Sequence, residues 1–382
     1  MLLNSAFRAA LLLASSLPSA FGMAIPYNIA GLKSRALSTS PASVQTFEST
    51  NNAYPRVTAL SDGTLLLGYA HNDGTTRALD ILQSTDGGAS FKPYGSVASR
   101  TDNADLDNIF LLEVGSTSPP TVLAAYRNHD KDSSGVYTYF RITVSKSTDG
   151  GKTWAFAGQA TEFTAASTGG WGVWEPFMRI GSDGKVQLDF SKELAANNQQ
   201  TYRTLSSNQG SSWSSPVNLL THASNVNLRD GMVGIAKVTD QQDGRAALVI
   251  VFETTTRGDG IFNIAYAVSY DDGASYSSAG VVYMPSGTRQ AGAPQIANKG
   301  TNGVAVVFMT DEGLSDQNWP TVAQIKTVTS DELRGGKLTW SSPQLVSSGS
   351  TYSHWPGVLS FSGKILSVYD QGGAIVAKYL SY

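Results

Sequence analysis

The chain has 382 residues, with 27 Lys and Arg against 30 Asp and Glu, a net charge of −3 and no cysteine. Charged residues make up 15% of it and 38 residues are glycine; against a usual charged share of about 25%, this argues against long amphipathic helices and against a charged disordered chain. The lack of a long basic block removes the electrostatic footprint of a nucleic-acid binder, and the lack of cysteine excludes disulfides, thiolate metal sites and a cysteine nucleophile.

In chain order, the first feature is a leader. Arg8 precedes the apolar run Ala9-Ala10-Leu11-Leu12-Leu13-Ala14, and Ala20 and Gly22 stand at the −3 and −1 positions of a cleavage site. This pattern predicts a secretory signal peptide over 1–22, and the run is too short to span a bilayer. No later segment is apolar enough to span one, and there is no N-x-S/T sequon, so the expectation is a soluble, secreted protein without N-glycans. Residues 23–42 read as a poorly specified arm, and Val44-Gln-Thr-Phe47 as a lone strand.

From there the chain repeats itself. Ser84-Thr-Asp-Gly-Gly-Ala-Ser-Phe91 returns 63 residues later as Ser147-Thr-Asp-Gly-Gly-Lys-Thr-Trp154, then as Ser206-Ser-Asn-Gln-Gly-Ser-Ser-Trp213 and Ser269-Tyr-Asp-Asp-Gly-Ala-Ser-Tyr276. Each follows a short alternating segment, and Asp with Gly suits a tight turn between two strands. A second series places Asp62, Asp183, Asp243, Asn302 and Ser362 in small turns, spaced 121, 60, 59 and 60, each before an apolar run; Ser116-Thr-Ser-Pro-Pro120 fills the double gap. Six equal units result. Each reads as a four-stranded antiparallel blade, except that the last offers three strands, ending near Ala374-Ile-Val-Ala-Lys-Tyr379. The expected fold is therefore an all-β, six-bladed β-propeller over 43–382 whose ring is closed by the N-terminal strand.

Antiparallel pairing puts inner-strand starts and second-strand ends on one face of the ring. That face collects Arg56, Asp107, Asn108, Trp174, Glu175, Arg229, Asp230, Gln295, Tyr352, His354 and Trp355 from the former. The latter contribute His71, Asp73, Arg127, His129, Lys192, Glu193, Glu253, Asp311 and Glu312. So many ionisable groups in a weakly charged chain mark the central channel as a polar site. Of seven Trp, four (Trp171, Trp174, Trp319 and Trp355) map to loops of that face; indole faces beside carboxylates suit a sugar ring, apolar on its C–H surfaces and polar at its hydroxyls. The alternative for some of these indoles is to pack blade against blade.

Two carboxylates stand out. Glu175 lies in Trp171-Gly-Val-Trp-Glu-Pro-Phe177, where the indoles would desolvate it and raise its pKa as a general acid requires. Glu253 ends the apolar run Leu248-Val-Ile-Val-Phe252 in the next blade, an odd place for a charge unless it faces the channel. A pair of carboxylates across one channel is the arrangement of glycosidases, retaining or inverting according to their separation.

With these residues in place the chain resembles the sialidase superfamily in its Asp-box repeats. In Trp174-Glu-Pro-Phe177, Val251-Phe-Glu-Thr254 and Ser350-Thr-Tyr-Ser-His-Trp-Pro-Gly357 it resembles the fungal exo-arabinanases of glycoside hydrolase family 93. The resemblance covers about residues 43–382. It implies a secreted, retaining enzyme that releases arabinobiose from the non-reducing end of linear α-1,5-L-arabinan, acting as a monomer on polysaccharide without a metal or other cofactor. It further implies Glu175 as acid/base, Glu253 as nucleophile and Tyr352 as an auxiliary hydroxyl; by their places on the channel face, Arg56, His71, Asp73, Asn108, Trp171, Trp174, Arg229, Asp230, Trp319, His354 and Trp355 are expected around the substrate. Two alternatives remain. A sialidase would use a Tyr nucleophile and three Arg, for which Arg56, Arg229 and Arg289 are candidates, although its Phe-Arg-Ile-Pro signature reads Tyr54-Pro-Arg-Val57 here. A non-catalytic lectin propeller would repeat its binding residues in each blade, whereas these units carry unlike ones.

Overall fold

The computed structural model describes residues 38–39, 45–47, 51–115, 117–258, 260–347 and 352–381. The expected leader lies outside them, as do most of the arm and residues 348–351. Five blades are four-stranded antiparallel sheets built from consecutive chain. Their inner strands are Asn52–Ala59, Asp105–Glu113, Val173–Ile180, Gly231–Thr239 and Ala291–Lys299. The sixth blade starts with Ser353–Phe361 and Lys364–Gln371 and continues to Ala374–Ser381. Its outer edge is completed by Gln45–Phe47, antiparallel to Ala377, Val376 and Ile375, and by Ser38–Thr39, which pair Ser381 and Leu380. The N-terminal strand thus closes the ring, and two residues of the arm extend it. Inner strands pack in succession, and the sixth packs back on the first.

Second strands are apolar on both faces because each blade is covered by two neighbours. Leu65–Asn72 and Gly303–Thr310 are almost wholly buried, the burial that continuous apolar runs require. Their side chains form the interblade cores. Leu65, Leu67 and Tyr69 meet Leu366, Val368 and Ile375 of the last blade, while Val249, Val251 and Tyr266 meet Val304, Val306 and Phe308 of the fifth.

The four Ser-x-Asp or Ser-x-Asn turns lie between third and fourth strands and share one hydrogen-bond scheme. In the second, Ser147 Oγ donates to Asp149 at 2.7 Å and accepts from the Gly151 N–H at 2.8 Å, and the Thr153 N–H and Oγ1 both donate to Asp149. The third uses Asn208 at the same place, except that its side-chain amide donates to the Ser212 hydroxyl instead of accepting from it. Trp154 and Trp213 donate their indole N–H to Gly151 and Gly210 carbonyls, which anchors each turn. The fifth unit differs: a small hairpin, Leu333–Arg334 with Lys337–Leu338, replaces the turn, and Trp340 packs edge-on to Tyr266 with centroids 5.9 Å apart.

Candidate active site

Every inner strand breaks register near its start, between Ala53 and Arg56, Asp107 and Phe110, Trp174 and Phe177, Gly231 and Gly234, Gly292 and Gln295, and His354 and Gly357. Inside each break sits one non-glycine residue with φ between 48° and 53°: Tyr54, Asn108, Glu175, Met232, Ala293 and Trp355. A bulge re-aims a side chain out of strand alternation, and holding a non-glycine residue in the left-handed region costs on the order of 1 kcal/mol. The propeller bears that cost six times, at one level of its ring. Asn108, Glu175 and Met232 from three of these bulges converge on a cavity of ≈ 10 Å³ that Arg56 and Gln295 also line.

Glu175 and Glu253 stand on neighbouring blades. Glu175 is half-buried, with its Oε2 lacking a hydrogen-bond partner among the described residues. Burial raises its pKa, opposed by the Ser191 hydroxyl and the Arg127 charge. Glu253 pairs Gly231 across the sheet and accepts the Ala293 N–H at 2.8 Å. Burial and the nearby Glu175 charge push its pKa up to about 7. The wall beside it is tight: a Cβ on Gly292 would lie 2.6 Å from Glu253 Oε2 and 3.1 Å from the Trp319 ring. Gly292 is therefore needed for the carboxyl and the indole to lie side by side.

Across the channel, Arg127 pairs with Asp105 at 3.0 Å and Asp107 at 3.2 Å and lies over the Trp174 ring at 5.1 Å. Despite its burial the two carboxylates keep it firmly cationic. Tyr54 stacks on Trp355 with centroids 4.4 Å apart, and burial, then the Asp107 charge, hold its phenol protonated far above the usual range. The Arg127 and Glu175 charges act on the same phenol. The Asn108 side-chain amide is buried with neither polar atom bonded among the described residues.

Several residues expected at the substrate are committed elsewhere. Asp73 turns its carboxylate on its own loop, accepting the Thr75 and Thr76 N–H groups at 2.8 and 2.6 Å. Asp230 is fully buried and accepts from Thr221, His222 and Thr254 at 2.8, 2.7 and 2.6 Å; it braces the end of the Glu253 strand rather than facing a sugar. His354 has both ring nitrogens engaged, with Asp370 at 3.1 Å and the Thr321 carbonyl at 2.8 Å. Arg56 donates to the carbonyls of Pro55, Trp355 and Pro356, which joins the first and last blades. Trp174 is wedged against His129, Tyr137 and Phe140 and is packing rather than platform. His71 bonds Asn52 at 2.8 Å. Arg229 pairs with Glu193 at 2.9 Å, and its charge reaches both Glu175 and Glu253. Trp171 follows a one-turn helix, Ala165–Thr168, in a segment tied to Glu193 through the Gly172 N–H. Tyr352 is 52% exposed.

Tyr54, Ser191 and His222 were not singled out from sequence. For Tyr54 a signal existed: Pro55, Pro176, Pro294 and Pro356 each follow a bulge residue, and proline inside an inner strand marks a bulge. Among the described residues no group of three or more His, Asp or Glu converges as a metal site would require.

The sequence matches no protein-family model and no curated protein. Solved structures do match. The α-L-arabinofuranosidase of Fusarium graminearum with an iminosugar inhibitor superposes with a TM-score of 0.63 and 21% identity, over 86% of this chain and 92% of that one. The α-L-arabinanase of Penicillium chrysogenum complexed with arabinobiose gives 0.62 and 18%, over 91% and 99%. The sialidase of Trypanosoma rangeli gives 0.53 and 13%, over 89% of this chain and 58% of that one. The fold is the sialidase-like six-bladed propeller.

Proposed function

We propose that the chain is a secreted, retaining glycoside hydrolase that removes arabinobiose from the non-reducing end of α-1,5-L-arabinan. The observation that carries this reading is the pair Glu175 and Glu253, on adjacent blades at one level of the channel and close enough that the charge of one raises the pKa of the other. Two coupled carboxyl groups share one proton near neutral pH, the state a glycosidase needs. Two neighbours of the same fold support the sugar class, one an arabinofuranosidase and one an arabinanase bound to arabinobiose. The leader-like residues 1–22 support secretion.

Burial raises the pKa of both carboxyls, and the shared proton belongs to the pair. The order of roles follows the family resemblance. Glu175 gives its proton to the departing glycosidic oxygen, and Glu253, which accepts the Ala293 N–H, attacks the anomeric carbon as that C–O bond breaks. Water then replaces Glu253 on the sugar, its proton passing to Glu175, which is restored as the acid.

The sialidase reading loses support. Its three candidate arginines are each engaged within the chain: Arg56 bonds carbonyls of the first and last blades, Arg229 pairs with Glu193, and Arg289 donates to the Asp311 and Asp316 carbonyls. The deciding experiment is product analysis on linear arabinan, where arabinobiose alone is expected; no release, or a ladder of oligomers, refutes the exo-acting assignment. Azide then tells the roles apart. With Glu253→Ala it should give a sugar azide of inverted configuration. With Glu175→Ala and an activated aryl arabinobioside it should give the retained one, and the exchanged pattern would reverse the two roles.

A further inference from the structure

We propose that His354 is a positioning residue which, by donating both ring N–H groups at once, holds the turn that carries Trp319 against the Glu253 carboxyl. This inference rests on the assignment of Glu253 to the reaction. Nδ1 lies 3.1 Å from Asp370 Oδ1 and Nε2 lies 2.8 Å from the Thr321 carbonyl oxygen. With Asp370 ionised both partners are acceptors, so both nitrogens carry hydrogen and the ring is an imidazolium. A neutral ring could satisfy only one of them.

The clamp acts on a short, closed piece of chain. Thr321 is two residues beyond Trp319, and the Val322 N–H donates to the Asn318 carbonyl at 2.8 Å, closing the turn between them. Just after it, Ser353 N–H donates to the Ala323 carbonyl at 3.0 Å, so the strand bearing His354 and the chain leaving the turn run side by side. At the other end of the loop Arg289 Nη1 holds the Asp316 carbonyl at 2.8 Å. The indole presented by this turn is the wall beside Glu253 that Gly292 makes room for.

The charged group facing His354 is Asp370, buried in the sixth blade; Asp107 is the next carboxylate, acting on Asp370 from the second blade. Burial alone would lower the His354 pKa, but Asp370 and the Thr321 carbonyl outweigh it and raise it. As pH rises past that value the ring loses one proton and one acceptor loses its donor. The turn is then released and water reaches Glu253. The sign is diagnostic. Removing a nearby positive charge would by itself raise the Glu253 pKa, whereas loosening the Trp319 wall lowers it by restoring hydration.

The test uses the full chain in two arms. In a Glu253→Gln background, which removes the carboxylate that could quench the indole, tryptophan fluorescence is titrated from pH 5 to 9. A step is expected that disappears when either His354→Gln or Trp319→Phe is added. If the step is missing from the background itself, or survives His354→Gln, the clamp does not exist; this arm involves no catalysis and stands apart from the fate of the arabinanase reading. In the second arm, the limb of kcat/KM set by Glu253 should move to lower pH by roughly one unit in His354→Gln on linear arabinan, a change of roughly tenfold in rate on that limb. A uniform loss at every pH, with the limb in place, would reduce His354 to a purely structural contact.

Discussion

A carboxylic acid keeps its proton in proportion to what its ionised form would lose, and Glu253 loses on two counts: water is displaced around it, and Glu175 is already charged nearby. With a folded value of about 7 against an ordinary Glu near 4.3, its favourable contribution to folding is fully present below the unfolded value and is lost as pH rises through the folded one. Above pH 7 the buried carboxylate is a cost, on the order of 3 to 4 kcal/mol. Glu253→Gln, whose amide oxygen can still accept from Ala293, should therefore melt several degrees higher than the parent at pH 8 and alike at pH 4, while losing activity by orders of magnitude. Calorimetry at the two pH values checks this; equal melting temperatures at pH 8 would mean that Glu253 is not strained by ionisation. Glu175→Gln should in turn lower the Glu253 pKa, because it removes the second of the two causes.

The bulge shows what could and could not be read at the level of one strand. That Glu175 and Glu253 face the same channel followed from the order of strands and from a charge ending the run Leu248–Phe252. That Glu175 sits at φ 48° did not, since nothing in its own identity asks for a left-handed backbone; Pro176 behind it was the available sign. Asp230 and His354 were misjudged for a related reason. Position along a strand says which end of the blade a residue occupies, but not whether Thr221, His222 and Thr254, or Asp370 and Thr321, have already taken its polar atoms. Gly292 gives the element-level test. A methyl group there would stand 2.6 Å from Glu253 Oε2, so either the carboxyl or the Trp319 ring must move. Gly292→Ala should keep the fold, since the residue has no positive-φ requirement, yet cut kcat on arabinan by roughly a hundredfold, the order of loss that follows displacement of a reacting group by about 1 Å. A parental kcat would show that the wall is free to yield.

At the scale of the ring, six spacings near sixty residues were enough to set the blade number, because each blade must bury both faces against its neighbours and none is stable alone. The same count left the last unit one strand short, and Gln45–Phe47 supplies it, with Ser38–Thr39 pairing farther along the same edge. What closes the circle is therefore a pairing between residues more than three hundred positions apart, the last contact a chain folding in order can make. Deleting residues 38–50 should expose the hydrogen-bonding edge of Ala374–Ser381, which otherwise invites pairing with another molecule, and should uncover Ile375 and Ala377 of the core shared by the first and last blades. The deleted chain is expected to lose roughly 10 °C or more of thermal stability and to aggregate on heating, whereas a chain beginning at residue 24 keeps every described strand and should melt with the parent. Differential scanning calorimetry with light scattering distinguishes the outcomes: if the deletion at 38–50 melts like the parent and stays monodisperse, the first and sixth blades hold the ring together without the strand that bridges them.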